Sequence, residues 1–156
     1  LYCNKGRFKM KHPQSLAAEL YSHFPAGNLK AIKDYGCCAF VLMWCLGIEP
    51  DDDAEAIMTV DSLIQAKALE EDCTVKWAEA IRRLTGRKME AVDFVNIKYI
   101  FHIKKRCPVR YDYNGKSHWV GVENGKVAFN PLKSSVCVEN GKPSTMRIMH
   151  IKGIDE

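Results

Sequence analysis

The spacing of hydrophobic positions changes near the middle of the chain. From Pro13 to Leu84 apolar residues recur every three to four positions, the period of one face of an α-helix. Pro13 suits a first helical turn, Leu16, Leu20, Tyr21 and Phe24 share a face, and Pro25-Ala-Gly-Asn28 closes that helix. Gly36 precedes an apolar block from Cys37 to Leu46, which Gly47 stops. The block is apolar all round and carries one β-branched residue, Val41, so it reads as a helix packed on every side. Asp51-Asp-Asp53 supplies an N-cap and acidic first turn for a helix over 54–68. Asp72-Cys-Thr74 opens another over 75–85, ended by Gly86, and residues 94–105 read as a further short helix.

After Cys107 the period falls to two, with Val109 and Tyr111 alternating with Arg110 and Asp112. Asn114-Gly115, Asn124-Gly125 and Asn140-Gly141 follow, and Asn-Gly is the strongest short hairpin signal because both residues accept positive φ. The strands they separate are 107–113, 117–123, 126–130, 134–139 and 145–152. The expected fold class is α+β: an N-terminal helical half whose central buried helix packs on a C-terminal antiparallel meander. No linker or long-period repeat interrupts it, so residues 1–156 read as one domain.

Charge and cysteine usage narrow the function classes. The net charge is +4, from 23 basic and 19 acidic residues. The clusters Lys5-Gly-Arg7-Phe-Lys9-Met-Lys11 and Lys104-Lys105-Arg106 read as solvated faces, not an arginine-rich stripe, so no nucleic-acid partner is expected. The apolar run from Cys37 to Ile48 is far shorter than the roughly 20 residues of a membrane span. No secretory signal pattern opens the chain at Leu1. The seven cysteines (3, 37, 38, 45, 73, 107 and 137) are odd in number and lack zinc spacing, which argues against a disulfide framework and for a reducing cytoplasmic setting. No metal-ligand set, P-loop or GxGxxG is present, so neither metal nor cofactor is expected.

Three residues have positions suited to thiol chemistry. Cys37 follows Gly36 at the inferred start of the buried helix, where backbone N–H groups and the helix dipole favour an anion and can bind an oxyanion. The bland alternative is a packing thiol, as for Cys38 and Cys45. His118 enters the strand Ser117-His-Trp-Val-Gly-Val122 on the face of Val120 and Val122, with Trp119 opposite. His12, His23, His102 and His150 have no comparable setting, although His118 can also be a hairpin residue in solvent. Counting back through Asn124-Gly125 pairs Glu123 with Lys126 and sets His118 near Pro131. Asn130 is then a strand neighbour of His118 that can fix the imidazole tautomer, or a plain turn residue before proline.

The order Cys…His-Trp-Val…Asn-Pro resembles the papain-like cysteine peptidases, most closely the small bacterial and phage-type group similar to C39-like bacteriocin-processing peptidases. The matching stretches are Tyr35-Gly-Cys-Cys-Ala-Phe-Val-Leu-Met43, Cys107-Pro-Val109, Ser117-His-Trp-Val-Gly-Val122 and Val127-Ala-Phe-Asn-Pro131, with Trp77-Ala-Glu-Ala-Ile-Arg-Arg-Leu-Thr-Gly86 like the inter-motif helix. The resemblance spans about residues 28–132. It implies a papain-like fold and a peptide or protein substrate, with Cys37 as nucleophile, His118 as general base and then acid, and Asn130 as its orienter. The chain departs from the pattern where the family carries an oxyanion-hole Gln: Asn28-Leu-Lys-Ala-Ile-Lys-Asp34 has none. Asn28, Lys30 or the Cys37 backbone N–H alone then has to serve. The expectations are hydrolysis of a peptide or amide bond, the same site used for acyl transfer, or a papain-like module that only binds a peptide or protein. Tyr111, Tyr113 and Trp119 are candidates to rim the cleft, or simply to pack.

Overall fold

A computed structural model describes residues 9–153. Cys3 and the Lys5-Gly-Arg7 part of the basic cluster lie outside the described residues. The described chain is α+β, with six helices and a five-stranded antiparallel sheet. Helices α1 (Pro13–His23), α2 (Leu29–Tyr35), α3 (Cys37–Cys45), α4 (Asp53–Gln65) and α5 (Trp77–Thr85) come first. Strands β1 (Met89–Asn96), β2 (Cys107–Tyr113), β3 (Lys116–Glu123) and β4 (Lys126–Phe129) follow, then α6 (Val136–Asn140) and β5 (Lys142–Ile151). No helix among the described residues is long and apolar enough to cross a membrane.

The centre is α3. Ala39, Phe40, Val41, Leu42 and Met43 are completely inaccessible, as expected of a helix that is apolar all round. One side of α3 lies on the sheet, where Trp44 presses on Gly121 of β3 so closely that a Cβ at 121 would collide with the indole. The ring is held in place by stacking on Phe129, centroids 5.9 Å apart, and by the Arg106 guanidinium 4.4 Å from its centroid. A smaller cluster covers the opposite face of the sheet, where Val109, Val120 and Val122 meet Cys137 of α6. The expected local signals operate at several ends. Asp52 caps α4 by accepting the Glu55 N–H at 2.8 Å, and Gly86 ends α5 in the left-handed conformation. Asn114-Gly115 and Asn124-Gly125 turn the two hairpins with positive φ at all four residues.

Four expectations are corrected. Residues 94–105 are not a helix: Phe94–Asn96 finish β1, which pairs along its length with β5, and an irregular loop follows. The β-branched and aromatic residues Val92, Phe94 and Val95 favour that strand once a distant partner is available. Residues 134–139 are not a strand, because Ser135 carbonyl accepts from Val138 and Glu139 and winds α6 there. Asn140-Gly141 therefore ends a helix instead of turning a hairpin. Asp72-Cys-Thr74 forms a tight turn, with Asp72 accepting the Thr74 N–H at 3.0 Å and Cys73 at φ 63°, and α5 begins only at Trp77. The sheet order is β1-β5-β2-β3-β4, not a simple meander, since the last strand inserts between the first two. The sequence reading also lacked α2.

Candidate functional site

Gly36 explains how Cys37 reaches the head of α3. The Gly36 N–H closes α2 onto the Ile32 carbonyl at 2.9 Å, and α3 starts at the next residue. A Cβ at position 36 would lie 2.5 Å from the Ile32 carbonyl oxygen and 3.1 Å from the Phe40 ring. Only glycine lets α2 run so tightly into α3, and the junction leaves the first-turn N–H groups of α3 without helical acceptors. The Lys33 carbonyl in the same junction accepts from Gln14 Nε2 at 2.9 Å.

Strand β3 brings the second component. Its Glu123–Lys126 pairing with β4 holds, but a bulge shifts the register so that Gly121 faces Phe129. Asn130 nevertheless meets His118, with Asn130 Oδ1 2.7 Å from His118 Nε2. The same Oδ1 accepts the backbone N–H of Leu132 at 3.0 Å. A backbone N–H can only donate, so this contact identifies the oxygen of the Asn130 amide and makes His118 Nε2 the protonated nitrogen. Nδ1 is then the nitrogen that keeps a lone pair. Asn130 is itself braced: its carbonyl accepts from His12 Nδ1 at 3.0 Å, and the next carbonyl, of Pro131, accepts the Gln14 N–H at 3.0 Å.

The strand that carries His118 reaches Cys37 through the next residue: Ser117 and Trp119 line the Cys37 cleft, and His118 does not. The backbone N–H of Trp119, the residue after His118, approaches the Cys37 sulfur together with the N–H groups of Cys37 and Cys38. No hydrogen bond joins the Cys37 thiol to the His118 ring in this structure. Burial raises the Cys37 pKa above its ordinary value, and those three N–H groups pull in the opposite direction. Burial pushes Cys38 up much further, without backbone donors. Burial also lowers the His118 pKa from 6.5, partly offset by the bond to Asn130. The resting pair is thus a neutral thiol and a neutral imidazole; the N-terminus of α3 does not overcome burial to hold a standing thiolate.

Cys37 and Cys38 open onto a cleft of about 530 Å³, whose walls include Trp77, Phe94, Trp119 and Arg147. A larger depression of about 1000 Å³ adjoins it through Asp34, Tyr35 and Asp72. Asn28 and Lys30 line that depression and not the Cys37 cleft. Asn28 donates to Asp61 at 2.8 Å and Lys30 pairs with Asp34 at 2.8 Å, so neither serves as an oxyanion donor beside Cys37. Of the aromatic rim candidates, Trp119 lines the cleft, whereas Tyr111 is 7% exposed and packs under the sheet.

Sequence reasoning missed Gln14 and Arg147. Gln14 is 3% exposed and links α1 to the end of α2 and to the Asn130-Pro131 corner. Arg147 reaches the cleft from β5, the strand whose place in the sheet had no local signal. The six described cysteines are free, and no three His, Cys, Asp or Glu residues among those described are grouped to hold a metal ion. No family model, curated protein or solved structure matches this chain.

Proposed function

We propose that this chain is a papain-like cysteine peptidase or amidase, similar to the C39-like group, acting through Cys37, His118 and Asn130. The observation that carries the reading is the Asn130 Oδ1 contact, which fixes His118 with its Nε2 proton on Asn130 and its Nδ1 lone pair free. Because thiol and imidazole are both neutral at rest, attack and proton transfer are coupled. As the Cys37 sulfur bonds to the substrate carbonyl carbon, His118 Nδ1 takes the thiol proton. The carbonyl oxygen gains the electron pair and is met by N–H groups at the head of α3. The imidazolium returns its proton to the departing amine as the C–N bond breaks. Water, deprotonated by His118, then hydrolyses the thioester and regenerates the thiol.

Asn130 and Gln14 act as positioning residues. Asn130 holds the productive tautomer, and Gln14 ties the end of α2, which leads into α3, to the corner that carries Asn130. That the six described cysteines are free suits a reducing, cytoplasmic setting. A second reading, a papain-like module that binds a peptide or protein without cleaving it, is favoured by the 8% exposure of Cys37 and by the missing thiol–imidazole hydrogen bond.

Incubation with a proteome-derived peptide library, followed by mass-spectrometric mapping of new termini, tests the proposal. New termini that disappear in Cys37→Ala and His118→Gln support it, and an added primary amine separates hydrolysis from acyl transfer by the products formed. Library peptides recovered bound but uncut support the binding module.

A further inference from the structure

Arg147 has no evident task in the chemistry above, yet it is built into the wall of the Cys37 cleft. Its guanidinium lies between two aromatic rings, 3.9 Å from the centroid of Phe94 and 4.9 Å from that of Trp119. Nη1 donates to Thr145 Oγ1 at 2.8 Å and to the Met146 carbonyl at 3.3 Å, which fixes the plane of the fork. Nε is buried without a hydrogen-bond partner. No Asp or Glu among the described residues comes within ion-pair distance of this guanidinium.

Of the neighbouring charges, those of Arg110 and Asp34 are already matched. Arg110, close enough to act electrostatically on Arg147, is held by Asp112 at 3.0 and 3.3 Å. Across the cleft, Asp34 is paired with Lys30 at 2.8 Å and Lys33 at 2.7 Å, and Asp72 accepts the Thr74 N–H. Partial burial lowers the Arg147 pKa below its ordinary value, and the charge of Arg110 acts in the same direction. Such a group gains strongly from an incoming anion, and a rigid planar fork suits a carboxylate.

We propose that Arg147, clamped by Phe94 and Trp119, forms a carboxylate-binding subsite in the Cys37 cleft, so that the chain selects substrates carrying a carboxylate near the bond attacked. The inference rests on Cys37 being the nucleophile. The carboxylate comes either from an acidic side chain or from the end of a peptide chain.

Matched alkylating probes test both points. Bromoacetyl-glycine and bromoacetyl-glycinamide differ in a terminal carboxylate, and bromoacetyl-aspartic diamide analogues with a free or amidated side chain differ in an acidic side chain. Their rates are read at Cys37 by peptide mass spectrometry. In the unaltered protein the carboxylate probe of at least one pair is expected to outrun its amide partner about tenfold, the size of a charge-assisted hydrogen bond. Arg147→Gln should bring that ratio near one, and Arg147→Lys should restore part of it. The faster pair identifies the source of the carboxylate. A ratio untouched by Arg147→Gln, with Cys37 still alkylated, overturns the subsite and leaves the nucleophile standing. Cys37 inert to every probe while other cysteines react overturns the nucleophile, and the subsite with it. Should Arg147→Gln fail to fold, the unaltered protein is titrated with N-acetylglycine and N-acetylglycinamide while the Trp119 indole resonance is followed. A shift with the acid alone supports the subsite; equal or absent shifts overturn it.

Discussion

Replacing Asn130 with Ala removes the acceptor for both the His118 Nε2–H at 2.7 Å and the Leu132 N–H at 3.0 Å. His118 is 3% exposed, so water does not readily replace the lost acceptor. Leaving that donor unpaired costs about 1–3 kcal/mol, and loss of the bond to the half-buried Leu132 N–H adds about 0.5–1.5 kcal/mol. We therefore expect Asn130→Ala to lower stability by about 2–4 kcal/mol at pH 8, measured by urea unfolding with tryptophan fluorescence. The loss should increase with acid. The bond to Asn130 supports the His118 pKa against burial, so removing it depresses that pKa further. The unfolded chain then takes up the proton below pH 6.5 while the folded chain resists it, and stability falls as pH falls. Nitrogen chemical shifts of the His118 ring should also show protonation moving from Nε2 toward Nδ1. A loss below about 0.5 kcal/mol, within the range of an ordinary surface substitution, together with an unchanged tautomer, refutes the reasoning.

Three further outcomes follow from the same geometry. In the unaltered protein, the lowered His118 pKa contributes acid sensitivity: stability declines as pH drops below 6.5, and His118→Gln removes that part of the slope in urea titrations from pH 5 to 8; identical slopes contradict it. Asn130→Asp keeps both acceptors and adds a negative charge, so the His118 titration followed by NMR should rise above 6.5, whereas a midpoint still below that value shows that the contact does not act on the ring. Gly121→Ala drives a methyl group into the Trp44 ring, itself fixed by Phe129 and Arg106, and should cost about 1–3 kcal/mol in urea unfolding. An unchanged midpoint would mean that α3 does not lie this tightly on β3.

The parts legible in the sequence are those set by local chemistry. The all-apolar stretch gave α3, Asp52 and Gly86 marked helix ends, and two Asn-Gly pairs fixed the hairpins that carry His118 and Asn130. Counting through the second hairpin put Asn130 beside His118 even though a bulge altered the register. What was illegible depends on distant partners. The span 94–105 looked helical because the pairing of β1 with β5 is invisible locally, and 134–139 looked like a strand because five residues are too few to show a helical period. Arg147 was missed for the same reason, since only the insertion of β5 between β1 and β2 brings it to the cleft. The favoured thiolate at Cys37 was a misjudgement of a different kind: the helix N-terminus is legible, but the burial that opposes it is a tertiary property.

The most direct test of the central claim compares Cys37 with Cys38. They are neighbours on one helix, 8% and 9% exposed, and both line the cleft, so exposure alone predicts equal reactivity. Iodoacetamide alkylation is followed at each site by peptide mass spectrometry between pH 5.5 and 9, with and without His118→Gln. If His118 serves as the base for Cys37, that thiol reacts about a hundredfold faster than Cys38 near pH 7.5, the scale of general-base assistance. Its rate falls as His118 is protonated in acid, and most of the advantage disappears in His118→Gln, leaving only the part that the three N–H groups at Cys37 supply. Equal rates at Cys37 and Cys38, or an advantage undiminished by the loss of His118, would contradict the account.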